Sequence, residues 1–192
     1  MGIIHAIDQL DQKVLLFING LHASVLDPVM WAISNKAFWY PFYLVLIVFI
    51  ILKRKKDVWI TLIVVAIMII LSDQLADFIK DHVQRLRPTH NASISDIVHI
   101  LRGYRGGDFG FVSSHASNAF AVAAFTSLLF ARRWFTLVIY FWAVIISYSR
   151  MYLGVHYPLD VLCGGLLGFS IGIIMFYLER WVINYVNQKR AR

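Results

Sequence analysis

Apolar residues gather in five runs along the chain: Phe38 to Leu52, Val58 to Leu71, Ala119 to Ala131, Trp134 to Ser147 and Val161 to Leu178. Several extend through polar but helix-compatible neighbours to the roughly 20 residues that a bilayer requires. The pattern predicts an all-α, polytopic membrane helical bundle with five transmembrane helices. Ahead of them, Ile7, Leu10, Val14, Phe17 or Ile18, and Leu21 recur at helical spacing, with Asp8, Asp11, Gln12 and Asn19 between. That alternation predicts an amphipathic helix over residues 1–23 lying in the membrane interface. A sixth span is the alternative, but Asp8, Asp11 and Lys13 near its middle would be costly in hydrocarbon. No positively charged stretch and no small-residue cleavage site mark this segment for removal. The whole of residues 1–192 is expected to form a single membrane-embedded domain.

Composition narrows the class. With 59% apolar and only 15% charged residues, the chain is too greasy for a soluble domain. Its net charge of +7 is split between short loops and chain ends instead of gathering on one soluble face, so nucleic acid is not the expected partner. Cys163, the single cysteine, sits within an apolar run and reads as a small packing residue without a disulfide partner. Lys53 to Lys56, Arg132 with Arg133, and Lys189 with Arg190 and Arg192 fall on one side if the spans alternate, and the positive-inside bias assigns that side to the cytoplasm. The opposite side then receives the segment 80–114 and the turn around Arg150 to Asp160. A bacterial inner membrane, with this outer side facing the periplasm or outside, is the expected location.

Three short blocks on that outer side carry the candidate chemistry. In the first, Lys80 and Arg87 are seven apart, a spacing that predicts one helix face two turns long, with Pro88 turning Arg87 out of the helix. Two cations could then meet one anion. In the second, Ser113, Ser114 and His115 immediately precede an apolar run, so a serine cap and the free N–H groups of a helix start are expected there. In the third, Arg150 is followed by His156 and Asp160, with Pro158 fitting the first turn of the last helix. A carboxylate at Asp160 can take the proton on one imidazole nitrogen of His156 and leave the other aimed outward as a nucleophile.

These blocks resemble the type 2 phosphatidic acid phosphatase superfamily, whose signature runs Lys-x6-Arg-Pro, Pro-Ser-Gly-His and Ser-Arg-x5-His-x3-Asp. The first and third match at every signature position, while in the second Val112 stands for proline and Ser114 for glycine. The resemblance implies a metal-independent hydrolase, without a cofactor, acting on a membrane lipid phosphate. Lys80, Arg87, Ser113, the Ser114 amide and Arg150 would hold phosphate oxygens. His156 would attack phosphorus, Asp160 would orient it and His115 would protonate the leaving oxygen, through a phosphohistidine intermediate. Undecaprenyl pyrophosphate, phosphatidylglycerol phosphate, phosphatidic acid and lipid A are the candidate substrate types. Lipid-to-lipid phosphotransfer is the alternative, and vanadium haloperoxidases, which also share the signature, are disfavoured by membrane burial. A lipid transporter would be expected to show inverted repeats or interrupted spans, and neither is visible.

Outside the signature, Asp73, Asp77, Lys80, Gln84 and Arg87 form a stripe at spacings of four, three, four and three. Asp77 is expected to pair with Lys80. Asp73 either lines a wet cavity or bonds a neighbouring helix. His5, His22, His82, His90 and His99 have no second ligand at metal spacing, so no metal site is predicted. The stretch holding Arg102, Gly103, Arg105, Gly106 and Gly107 reads as a flexible basic loop.

Overall fold

The computed structural model describes residues 2–191, the side chain of Ile4 excepted. Seven α-helices follow one another among them: α1 (Gly2–Asn19), α2 (Leu26–Ser34), α3 (Tyr40–Arg54), α4 (Val58–Val83), α5 (Ser114–Phe130), α6 (Arg133–Tyr152) and α7 (Pro158–Arg190). The protein is an all-helical membrane bundle. By length and composition, three helical stretches can cross a membrane: Lys36–Val83, Arg133–Tyr152 and Pro158–Arg190. The first is two helices, α3 and α4, broken at a turn where Lys55 takes a φ of 49°. At 17 residues α5 is shorter than these, and it is the most enclosed element, with only Leu128 exposed among its large apolar side chains.

Packing explains why α5 can be central. It carries Ala116, Ala119, Ala121, Ala123 and Ala124, all buried, and small residues let helix backbones approach closely where lipid supplies no hydrophobic drive. Its partner α7 presents Gly164, Gly168 and Gly172 at helical repeat. A Cβ at Gly164 would lie 2.5 Å from the Ser113 carbonyl oxygen, and one at Gly168 would overlap the Ser117 carbonyl. This close approach brings the start of α5 against the start of α7. The outward faces of α3, α4, α6 and α7 expose Leu44, Ile63, Ile67, Leu137, Phe141 and Leu166, an apolar belt suited to lipid contact.

The two ends of the bundle differ. At one, Arg54 and Thr61 both bond Glu179, and Arg190 lies 3.5 Å from Asp57, so the basic turn at 55–57 and the tail of α7 are neighbours. At the other end lie the three candidate blocks. α1 stretches across this second end: Asp8 and Asp11 bond Arg85, Leu15 packs with Ile94, Val98 and Tyr157, and Asn19 bonds the Tyr152 carbonyl and both backbone groups of His99. Its polar stripe faces protein, while Ile3, Ile7, Leu10, Val14 and Phe17 are exposed.

Two expectations need correction. Lys80 and Arg87 do not share a helix face, because α4 stops at Val83, where Gln84 takes a left-handed φ of 51° and donates its N–H to the Lys80 carbonyl. Arg87 instead reaches the site from an extended segment, with ψ of 157° ahead of Pro88. The loop around Arg102 and Arg105 is also pinned: Thr89 Oγ1 donates to the Arg105 carbonyl at 2.9 Å, Arg105 Nη1 donates to the Thr89 carbonyl at 3.2 Å, and Arg102 stacks over Trp31.

Candidate active site

His156 sits in the tight turn between α6 and α7, where Gly154 supplies a φ of 70° that an L side chain would resist. Pro158 starts α7, and Asp160 in its first turn accepts the N–H of Tyr157 at 2.9 Å through Oδ2. The same oxygen lies 3.6 Å from His156 Nδ1, and the Gly110 backbone also approaches the ring. On the far side of the ring, Arg87 Nη1 approaches Nε2 at 3.1 Å. A guanidinium can only donate, so Nε2 accepts, and the proton of the neutral ring belongs on Nδ1 facing the carboxylate. His156 is buried at 2% exposure, and burial together with Arg87, Arg150 and Lys80 holds its pKa well below the ordinary imidazole value. The ring is therefore neutral near pH 7, with one lone pair available on Nε2.

Cations surround that lone pair. Arg87 is fixed by bonds from Nε to the Phe109 carbonyl and from Nη1 to the Val155 carbonyl. Burial lowers its pKa, and Arg150 lowers it further. Arg150, at the end of α6, is 3% exposed and donates to Ser34 Oγ and, at 3.4 Å, to the Tyr104 hydroxyl. Lys80, near the end of α4, donates to Ser114 Oγ and, at 2.7 Å, to Asp77. Two buried guanidiniums close enough to oppose one another, with no carboxylate bonded to either among the described residues, make a site suited to a multiply charged anion.

Ser113 caps α5, accepting the Ala116 N–H at 3.5 Å, while its own N–H is spent on the Asp160 carbonyl at 2.9 Å. The first N–H groups of α5 beyond it lack intrahelical acceptors and carry the positive end of the helix dipole. His115 lies in that first turn and lines a pocket of about 340 Å³ together with Trp31, Ser34, Lys36, Tyr104 and Arg150. Where the signature has glycine, the Ser114 hydroxyl joins Lys80 and Asp77 in one trio, its distance to Asp77 being 3.4 Å. The structure thus brings Lys80, Arg87, Ser113, Ser114, His115, Arg150, His156 and Asp160 to one end of the bundle.

The family model of the PAP2 superfamily matches residues 57–183, well over half of the chain. The chain belongs to the PAP2 superfamily. Among similar members, a lipid A 4'-phosphatase of Bacteroides thetaiotaomicron is 38% identical over 179 residues, covering 91% of this chain and 79% of that protein. A lipid A 4'-phosphatase of Porphyromonas gingivalis is 30% identical over 181 residues, covering 91% and 77%. Two crystal structures share the fold, each at 24% identity. Aquifex aeolicus LpxE superposes with a TM-score of 0.66 over 86% of this chain and 93% of its own. A transmembrane PAP2-type phosphatidylglycerolphosphate phosphatase from Bacillus subtilis does so at 0.65, over 94% and 88%.

Several groups at the site of this PAP2 member are not signature positions. Arg85 bonds Asp160 Oδ1 through Nη1 and both Asp8 and Asp11 through Nη2, each at 2.8 Å, and its guanidinium carbon lies 4.1 Å from the centre of the Tyr157 ring. Burial acts to lower its pKa, but Asp160, Asp11 and Asp8 outweigh this and raise it. Ser34, Lys36 and Tyr104 complete the pocket from α2, the turn after it and the loop before α5. No sequence signal singles these out, because their partners are 70 or more residues away or in segments without periodicity.

Proposed function

We propose that this chain hydrolyses the phosphomonoester of a lipid A-type membrane lipid at the extracytoplasmic face, using His156 Nε2 as nucleophile and no metal. The chain is an integral-membrane phosphoric ester hydrolase, a lipid phosphatase of the PAP2 superfamily, like its relatives named for lipid A 4'-phosphate hydrolysis. The observation that carries the finer reading is His156 itself: a buried ring with Nδ1 toward Asp160 and Nε2 toward a cluster of cations.

In the proposed reaction the phosphate enters between Arg87 and His156, so that Arg87 exchanges its bond to Nε2 for bonds to phosphate oxygens. Lys80, Arg150 and the N–H groups at the start of α5 neutralise the remaining oxygens. Phosphoryl transfer spreads charge over these oxygens and is accelerated mainly by positioning and fixed positive groups, work that three cations can do. Before substrate binds His115 is neutral, its pKa lowered to about 2 by burial and then by Arg150, and the entering phosphate dianion offsets the cations so that His115 takes up a proton. Nε2 forms its bond to phosphorus while the phosphorus–oxygen bond to the lipid breaks, and His115 gives the leaving oxygen that proton. Asp160 stabilises the Nδ1–H of the resulting phosphohistidine. Water, deprotonated by His115, then attacks phosphorus and frees inorganic phosphate.

The membrane face rests on charge: the turn at 55–57, Arg132 and Arg133, and the end of α7 carry the basic residues favoured on the cytoplasmic side. Residues 1–192 act in this reading as one domain, with α1 as its interfacial element and the segment 80–114 contributing to the site.

Purified protein in detergent should release phosphate from a lipid A-type phosphomonoester in the presence of EDTA, and faster than from phosphatidylglycerol phosphate, phosphatidic acid or undecaprenyl pyrophosphate. Brief exposure to radiolabelled substrate should leave an acid-labile, base-stable label on the protein. His156→Ala should reduce release to background and remove the label. Robust release by that variant would refute the nucleophile, and loss with EDTA restored by magnesium would refute metal independence.

A further inference from the structure

Beneath the phosphate pocket a second cavity, of about 360 Å³, runs between α3, α4 and α5 into the apolar part of the bundle. Ser34, Lys36 and His115 line both, so the two spaces meet beside the reacting centre. Most of the deeper wall is hydrocarbon, from Tyr43, Leu46, Met68 and Val122 among others, which suits the tails of a lipid whose head group is held above. Polar side chains interrupt it, among them Thr126, whose hydroxyl donates to the Val122 carbonyl, and a pair on facing helices. Asp73 on α4 accepts a hydrogen bond from Asn118 Nδ2 on α5 at 2.6 Å.

That pair is incomplete as it stands. Asn118 Oδ1 is buried and has no partner among the described residues, and Asp73 accepts through Oδ1 alone. The unused oxygens, Asn118 Oδ1 and Asp73 Oδ2, are acceptors, while Asn118 Nδ2 keeps one further N–H. A buried acceptor without a donor is costly, and an apolar side chain at either position would pack the wall more simply. The depth is also informative. Asp73 precedes Lys80 by two turns of α4, about 10 Å along the axis, and Asn118 follows His115 by about 4.5 Å. A phosphate held at Lys80 and His115 would place the root of the acyl chains, where they join the head group, at this level.

We infer that Asp73 and Asn118 receive a hydrogen-bond donor, an amide N–H or a hydroxyl, carried at the root of the substrate's acyl chains. The enzyme accordingly favours lipid phosphates with amide-linked or hydroxylated chains over all-ester or isoprenoid ones. This rests on the lipid phosphatase reading and adds to it a chemical reason for choosing among lipids: an ester-linked or polyprenyl chain leaves both acceptors empty, whereas a donor-bearing chain satisfies them. Sites built to pair a substrate N–H or O–H reject analogues that lack it.

Ceramide 1-phosphate and phosphatidic acid of matched chain length isolate the effect, since both are lipid phosphomonoesters and only the first carries an amide N–H and a hydroxyl near the head group. In mixed detergent micelles, wild-type kcat/KM should favour ceramide 1-phosphate by roughly 10- to 100-fold. The double variant Asp73→Leu/Asn118→Leu removes both members of the pair and strands neither, and its melting temperature reports folding. Its preference should fall to within about twofold of unity, the gain coming from improved relative use of phosphatidic acid. Should the double variant fail to fold, Asp73→Asn, which replaces the acceptor carboxylate at nearly equal volume, should still lower the ratio severalfold. A wild-type ratio near one would overturn the inference, and would be the outcome if water alone satisfies the pair. A ratio undiminished in the folded variants would overturn it as well. Absence of phosphate release from every lipid tested would instead refute the phosphatase reading, and this inference with it.

Discussion

Two buried carboxylates, one at each end of the bundle, are both held by an arginine from another segment, and they differ in what else they touch. Glu179 in α7 is fully buried and is bonded by Arg54 at 2.6 Å and by Thr61 at 2.5 Å. The cluster joins α7 to the end of α3 and the start of α4. Asp160, at the opposite end of the same helix, is equally buried and is bonded by Arg85 at 2.8 Å, but its second oxygen faces His156 Nδ1. Arg85 in turn gathers Asp8 and Asp11, so the Asp160 cluster ties the helix crossing the bundle end to the His156 imidazole. A buried ion pair is poor evidence of net stability by itself, because desolvation offsets the attraction. What separates the two clusters is that one adds an imidazole, His156, as a further neighbour.

The largest effect should come from removing each carboxylate's charge while keeping its shape. Asp160→Asn places an amide beside Nδ1, and an amide hydrogen directed there would force the imidazole proton onto Nε2, where the attacking lone pair must be. By analogy with the wrong-tautomer effect in the serine protease triad, kcat should fall by roughly 10³ to 10⁴. Glu179→Gln should leave kcat within about twofold and act only on stability, since it loses a charge-assisted hydrogen bond worth roughly 1.5–3 kcal/mol. Single-turnover phosphate release beside a melting curve separates the two. Equal losses of kcat would mean that Asp160 is as structural as Glu179.

The parts that were legible in the sequence are those whose information is local. Five apolar runs correspond to α3 through α7, Pro158 starts α7 where its ring is tolerated, and Ser113 caps α5. The spacing from His156 to Asp160 is short enough for one turn to impose their meeting. Arg85 was invisible for the opposite reason. Its carboxylates lie 74 to 77 residues away, and its position beside Arg87 makes it look like one more basic residue near a membrane surface. The stripe on α1 shows how a correct period can leave a side unassigned: Asp8, Asp11 and Asn19 alternate with apolar residues as an interfacial helix requires, yet their partners are protein. Lys80 and Arg87 show the reverse failure, in which spacing alone implied a shared helix that Gln84 interrupts.

Arginine removal gives the second contrast. Arg85→Met leaves two buried carboxylates without a cation, Asp11 keeping only the Leu159 N–H and Asp160 only the Tyr157 N–H, whereas Arg54→Met leaves one, Glu179, with Thr61 still bonded to it. Breaking a buried pair by deleting one partner costs about 3–5 kcal/mol, so both variants should melt lower. Arg85→Met should in addition lose kcat by one to two orders of magnitude with KM little changed, since it frees Asp160 without touching the phosphate pocket. Arg54→Met should retain the kcat of its folded fraction. Arg85→Lys, which keeps charge but not the two-armed geometry, should recover stability more than kcat. If Arg85→Met lost stability alone, the link from α1 to the imidazole would have no catalytic consequence.

The smallest effect is a pH dependence confined to the Asp160 end. His156 in the folded protein has its pKa held well below the ordinary value, first by burial and then by Arg87, Arg150 and Lys80. In the unfolded chain it titrates near about 6.5. Between that pH and its folded value the unfolded state binds a proton that the native state does not, so stability rises with pH and is lost as pH falls below about 6.5. From pH 6.5 to 5.5 this single group should remove about 1 kcal/mol. The other histidines of the unfolded chain titrate in the same window, so the quantity to measure is a difference: unfolding free energy at the two pH values for wild type and for His156→Gln. Wild type should lose about 1 kcal/mol more than the variant across the interval. Glu179→Gln should keep the wild-type slope, because its cluster contains no histidine. An identical slope in wild type and His156→Gln would mean that the folded imidazole protonates as readily as the unfolded one, and the neutral nucleophile at the centre of the Asp160 cluster would lose its physical basis.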